Sequence, residues 1–212
     1  MPKETFFRLR DEKQESILRS AIHEFVEHGF ERAKISDIAK CAHVATGSIY
    51  QYFEDKNELF MYCAQWGFDV FATKLQTGES AKSMDIYEYF NDRLSKTKVM
   101  NEERELVLFM QELSRHPDMM YPSMREMYEK SDKYIEMLIQ NSKDKGLIRR
   151  DIDNEILKEY FTAVTERFKM RWLERNVEFF DEHMKTDALP NEINEMLQLL
   201  KYGLSGKDSK EA

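Results

Sequence analysis

Residues 46–56 group side chains suited to bonding a nucleic acid: Thr46, Ser48, Tyr50, Gln51, Tyr52 and then Lys56. Hydroxyls and an ammonium bond phosphate oxygens, and a glutamine amide can pair with an adenine edge in a major groove. The charge distribution supports this use. The chain carries 32 basic and 40 acidic residues, a net charge of −8, yet residues 43–53 contain no Asp, Glu, Lys or Arg. A carboxylate on a face that meets a duplex would repel it. Small groups at the start of the stretch also let the backbone approach the floor of a groove.

Other chemistries find no support. HEFVEH, residues 23–28, suggests a zinc protease, but its histidines are five apart. On a helix that sets them roughly 140° from one another, not on the single face that an HExxH pair needs. No ExxH occurs, which removes the di-iron bundle signature. There is no GxSxG, no phosphate-cradling glycine loop and no paired cysteine motif. Cys41 and Cys63 have no metal-like spacing and form a weak disulfide framework, so a reducing cytosol is expected. No catalytic residue, metal or cofactor is expected. Apolar runs fall short of the ~20 residues of a membrane span, and the N-terminus lacks the core of a secretion signal, predicting a cytoplasmic protein.

The elements that would position the 46–56 cluster follow from periodicity. Ile17, Leu18, Ala21, Ile22, Phe25 and Val26 form an i, i+3, i+4 stripe over residues 11–28, a helix that Gly29 stops. Residues 35–42 form a short helix with Ile35, Ile38, Ala39 and Ala42 inward. Residues 46–53 form another, with Ile49 and Phe53 on one face. Two short helices joined by a tight turn have the dimensions of a helix-turn-helix. With Ile49 and Phe53 hidden, Thr46, Ser48, Tyr50, Gln51 and Tyr52 must project outward or sideways. Asp55 caps a longer helix over 56–75, with Leu59, Phe60, Cys63, Trp66, Val70 and Phe71 inward.

TGESAKS, residues 77–83, is a break. Helices are then expected at 84–98, 102–115, 119–145, 154–180 and 190–203, with turns at RHPDMMYP and KGLIRRDIDN. The fold class is all-α, with about nine helices. Residues 1–56 form a three-helix DNA-binding domain, 57–204 a larger helical domain, and 205–212 a disordered tail. Residues 1–56 hold 9 basic and 10 acidic residues, so attraction to DNA must come from a local surface rather than a global field.

Ile17, Leu18, Ala21, Phe25, Gly29 and Phe30, then Asp37-Ile38-Ala39, Val44, Gly47, the IYQYF run at 49–53, Lys56 and Leu59 resemble the TetR family of bacterial transcriptional regulators in order and spacing. The resemblance covers about residues 11–60. It implies an N-terminal DNA-reading domain and a C-terminal helical domain that binds a ligand and dimerises. Carried onto matching positions, Ser36 of the second helix and Thr46, Ser48, Tyr50, Gln51, Tyr52 and Lys56 would meet DNA. Three positions depart from the family pattern. His43 stands where glycine is usual and must take the left-handed conformation. Ala45 stands where a capping Ser is usual, leaving Thr46 as the expected cap. Lys34 replaces a common Thr or Ser.

The C-terminal half must then supply a pocket and a dimer surface. Leu106, Phe109, Met110 and Leu113 share a face. The helix over 154–175 carries two apolar stripes, Leu157, Phe161, Val164, Phe168 and Trp172 on one and Ile156, Tyr160, Ala163 and Met170 on the other, so it is expected to be buried on two sides. Thirteen methionines suit a deformable cavity. The expected pocket residues are Trp66, Phe109, Met110, Tyr160 and Phe161. Ile193, Met196, Leu197 and Leu200 of the last helix are the expected dimer surface, as half of a four-helix interface. Glu166 and Arg167, adjacent on the helix over 154–175, are expected to form a surface ion pair, with a polar contact to ligand as the alternative. These readings amount to a homodimeric repressor on a palindromic double-stranded operator, released by a small apolar effector. A TetR-like binder controlled by a protein partner is the alternative.

Overall fold

The computed structural model of the chain describes residues 1–74, 83–95, 102–175 and 191–202, and every element among them is a helix. Residues 77–82 of the expected break at 77–83, the helix segments 96–98 and 176–180 and the tail at 205–212 lie outside the described residues.

The longest stripe of the N-terminal half becomes α2 (Asp11–Arg32), with Ile17, Leu18, Ala21, Ile22 and Phe25 all at 1% exposure or less. Gly29 breaks the helical geometry at φ 71° and ψ 159°, a conformation that a side chain would disfavour, and one further turn follows it. Next come α3 (Ile35–Cys41) and α4 (Thr46–Tyr52). His43 between them takes φ 53°, as expected. Its amide donates to the Lys40 carbonyl and the Val44 amide reaches back to Ala39, the Schellman arrangement that satisfies the last carbonyls of a helix. Asp55 starts α5 (Lys56–Lys74) by accepting the Glu58 amide at 2.8 Å.

Periodicity did not foresee α1 (Glu4–Phe7). One turn has no stability of its own. Phe6 holds it, fully buried, with its ring centroid 4.9 Å from that of Phe53 and 5.6 Å from that of Tyr62.

Beyond α5 lie α6 (Ile86–Ser95), α7 (Arg104–Ser114), α8 (Pro117–Asp144), α9 (Asn154–Arg175) and α10 (Asn191–Tyr202). RHPDMMYP is not a turn throughout. Only Arg115 and His116 separate α7 from α8, because Pro117 opens α8 at a position that needs no amide hydrogen and the helix continues through Pro122. Gly146, at φ 71°, ends α8.

Two apolar clusters organise these helices. The first joins α1 to α5 with Leu106, Phe109 and Leu113 of α7. At its centre the Phe60 ring meets those of Phe25, Phe30 and Phe109 at 4.8–5.0 Å. The second joins Ile86 of α6, Leu138 and Ile139 of α8, Leu157 and Phe161 of α9, and Met196 and Leu200 of α10. Packing therefore runs through the boundary expected at residue 56, since Leu59, Phe60, Cys63 and Ala64 share one core with α2 and α7. Among the described residues, no helix is long and apolar enough to cross a membrane.

Candidate nucleic-acid interface

Helix α4 hides one side and presents the other. Ile49 and Phe53 are each 1% exposed, whereas Tyr50 is 50% exposed. Thr46, Gly47 and Gln51 are exposed and Ser48 is half-buried. Ser36, on α3, is also exposed. Tyr52 is half-buried, with its ring edge-on to Phe6 at 6.1 Å. The structure thus brings Ser36, Thr46, Ser48, Tyr50 and Gln51 to the surface, with Tyr52 at its margin. Helix α4 begins at Thr46, and the cap residue before it, Ala45, makes no side-chain hydrogen bond. Thr46, expected as the cap, lies inside the helix instead, because the extended conformation of a cap falls on Ala45.

Lys56 was expected to touch DNA, but its ammonium is engaged elsewhere. Its Nζ donates to the carbonyls of Phe30, Glu31 and Ala33 at 2.7, 3.1 and 3.2 Å and lies 4.7 Å from the centroid of the Phe30 ring. An ammonium has three hydrogens, and all three are committed. Lys13 does the same for α3, donating to the Ala42 carbonyl at 2.7 Å, and Lys3 for α4, donating to the Tyr50 carbonyl at 2.9 Å. Helices α2, α3 and α4 thus each receive a lysine at the negative end, where a cation is favoured. Lysines far apart in sequence had given no sign of this.

Helix α7 joins the head to the rest through carboxylates. Arg19 of α2 bonds Glu103 at 3.0 Å, His23 bonds Glu105 at 2.8 Å, and the Phe30 amide bonds Glu112 at 2.8 Å. Burial works against charge on Glu103 and Glu112. In each case donors outweigh it, Arg19 and Lys74 for Glu103, and the Phe30 amide, Arg115 and His116 for Glu112, and they hold both carboxyls below the usual range. Hydrogen bonding to Glu105 raises the pKa of His23.

The expected pocket does not assemble. Phe109 is fully buried in the first cluster, and Trp66 and Met110 pack against that cluster. The Trp66 ring lies under the Arg19 guanidinium at 5.2 Å. Phe161 sits in the second cluster, and Tyr160 is 49% exposed. Apolar periodicity marked these residues as buried without saying against what. An open groove of about 500 Å³ lies instead along α9, lined by Ala163, Val164, Arg167, Phe168 and Arg171.

The expected dimer residues divide similarly. Met196 and Leu200, each 7% exposed, point into the chain's own second cluster and cannot form a surface between subunits. The side chains of Ile193 and Leu197, like those of Glu166, Met170 and Trp172, lie outside the described residues. On α9 only one of the two stripes is buried: Ile156 is 64% exposed and Tyr160 49%, while on α10 Leu199 is 48% and Tyr202 53% exposed.

A short exposed helix, seated on its predecessor by a tight turn and presenting hydroxyls and an amide without carboxylates, defines a helix-turn-helix transcription regulator. The comparisons agree. The family model for bacterial regulatory proteins of the tetR family matches residues 17–63. YvdT, an HTH-type transcriptional regulator of Bacillus subtilis, is 43% identical over 65 residues, a match spanning 31% of each chain. The HTH-type transcriptional repressor AcnR of Corynebacterium efficiens is 22% identical over 92% of this chain and 94% of its own. The solved structure of FadR from Bacillus subtilis in complex with stearoyl-CoA has a TM-score of 0.65 at 19% identity, covering 90% of this chain and 99% of that one, a likeness of fold. Residues 17–63 are thus similar to bacterial regulatory proteins of the tetR family, and the whole chain shares the fold of solved regulators of that type.

Proposed function

We propose that the chain is a homodimeric repressor that inserts α4 of each subunit into successive major grooves of an inverted-repeat operator and is released by an amphipathic effector. The observation that carries this reading is the exposure of Thr46, Tyr50 and Gln51 over a buried Ile49 and Phe53, on a stretch free of carboxylates. Gln51 pairs with a base edge, and Ser36, Ser48, Tyr50 and Tyr52 bond phosphates. Lys34 and Lys40, both exposed at the ends of α3, take the cationic role that Lys56 leaves open. Two copies with α4 centres about 34–36 Å apart meet one face of B-DNA.

A second copy covers the exposed Ile156 and Tyr160 of α9 and Leu199 and Tyr202 of α10, which a lone chain would leave in water. The groove on α9 combines apolar Val164 and Phe168 with the guanidinium of Arg167. That chemistry suits a molecule with an apolar body and an anionic end, and the FadR structure of the same fold carries such a molecule, stearoyl-CoA. Effector binding reaches the head through Glu103, the residue that precedes α7, and Glu105 and Glu112 within it, which hold α2 at three points. A coupling of about 1–3 kcal/mol per site weakens operator binding severalfold to over a hundredfold.

Selection of bound fragments from random duplex DNA tests the reading: an inverted repeat must emerge. Gln51→Ala must then lose discrimination at one base position per half-site, and equal loss on every sequence variant would refute base reading. Lys34→Ala and Lys40→Ala must each lower the salt slope of binding by about one. Stearoyl-CoA must release the operator, and indifference to it would turn the assignment toward a protein partner as the controlling signal.

A further inference from the structure

The C-terminal end of α4 is closed by residues that precede α2. A helix leaves its last four carbonyls without partners of its own. In α4 the Ile49 carbonyl accepts the Phe53 amide at 2.8 Å, but the chain then turns away in extended conformation. The next three carbonyls all take donors from the N-terminal segment. Tyr50 accepts Lys3 Nζ at 2.9 Å, Gln51 accepts the Thr5 hydroxyl at 2.5 Å, and Tyr52 accepts the Lys3 amide at 2.8 Å. The two side-chain donors stand 47 and 46 residues away in sequence, and Phe6 nails the segment down from within the core.

From this we infer that Lys3 and Thr5 are positioning residues for operator recognition, acting through the backbone of α4 rather than on DNA. The inference rests on the DNA-reading role proposed above. Tyr50 and Gln51 are the two residues whose carbonyls the segment holds and whose side chains face outward, so their direction is fixed from behind. A seven-residue helix with a frayed last turn would swing the Gln51 amide over more than the short range in which a bidentate contact to a base edge survives. The segment removes that freedom without contributing a group to the interface.

Thr5→Val tests this with no change of charge, and Lys3→Met with Lys3→Arg as its conservative partner supplies a second line. Amide hydrogen exchange on the full chain without DNA comes first: exchange over residues 50–53 must rise severalfold in Thr5→Val while α3 stays as in the wild type. On the duplex that the wild type selects, Thr5→Val must bind about fivefold more weakly, the worth of one hydrogen bond. Discrimination against single-base variants must narrow, the salt slope must stay unchanged, and Lys3→Arg must retain wild-type binding. Unaltered exchange would overturn the cap. Faster exchange with unaltered affinity and discrimination would overturn the positioning role and leave the DNA-reading assignment standing. Failure of the wild type to select any duplex would overturn that assignment, and the positioning role with it.

Discussion

The amide of Phe30 donates to Glu112 Oε1 at 2.8 Å, so the end of α2 hangs on a carboxylate 82 residues further along the chain. Gly29 makes room for it, since a Cβ there would sit 3.3 Å from the same oxygen. Arg115 at 2.7 Å and His116 at 3.2 Å complete the surroundings of the carboxylate. The head is thus carried by α7 as well as by its covalent continuation into α5.

Glu112→Gln is expected to cost roughly 1.5–3 kcal/mol, the worth of hydrogen bonds to a charged group that is largely buried. The cost must depend on pH. The Glu112 carboxyl titrates below the usual glutamate range in the folded chain, because its donors outweigh its burial. Its contribution is therefore complete above the unfolded-state value and disappears as pH falls through the folded one. Denaturant unfolding of both proteins across the acid range checks this. The wild type must lose stability more steeply on acidification, and parallel curves would remove Glu112 as the anchor.

Lys56→Met separates a strut from a phosphate contact. Loss of three charge-assisted bonds at the end of α2 is expected to cost about 2 kcal/mol of unfolding free energy. The salt slope of DNA binding must stay unchanged. A slope smaller by about one would return Lys56 to the interface.

Gly67 of α5 lies close against α7. An added Cβ would lie 2.8 Å from Met110 Cε and 3.1 Å from Leu106 Cδ2. Both neighbours are ends of flexible side chains, so Gly67→Ala is expected to cost only about 1 kcal/mol by overpacking. In a Met110→Ala background the added methyl must cost less. A double-mutant cycle measures that coupling, and strict additivity would show that the two do not touch.

The exposed and inner faces of α9 and α10 must respond differently. Leu199→Glu and Tyr160→Glu are expected to leave the subunit folded and shift sedimentation toward the monomer. Met196→Ala opens the inner cluster and must cost about 2–5 kcal/mol in the stability of each subunit. An unfolded Leu199→Glu variant would place that residue inside instead.

Burial pushes the Cys63 thiol far up, and its Sγ lies against the Leu18 carbonyl. Cys41 is exposed on α3. A thiol reagent must therefore label Cys41 in the native chain and Cys63 only on unfolding. Equal rates would contradict the packing of α5 on α2.

Local features were legible because their causes are local. The i, i+3, i+4 stripe of α2, the stops at Gly29 and Gly146, the left-handed turn at His43 and the cap at Asp55 each depend on a few adjacent residues. The uncharged face of α4 was legible for the same reason, as Ile49 and Phe53 one turn apart oblige Tyr50 and Gln51 to look the other way. Helix α1 escaped because one turn carries no periodicity, and Phe6 makes it a helix only by finding Phe53 and Tyr62.

What tertiary structure alone decided was partnership. An apolar stripe states that a side chain leaves water, not which neighbour receives it, so Phe109 went to the core of the head and Met196 to the chain's own second cluster. A lysine ammonium on a flexible four-carbon stem can reach a phosphate or a distant carbonyl. The fold brought three helix ends within reach of Lys3, Lys13 and Lys56, and so turned expected and unnoticed cations alike into struts.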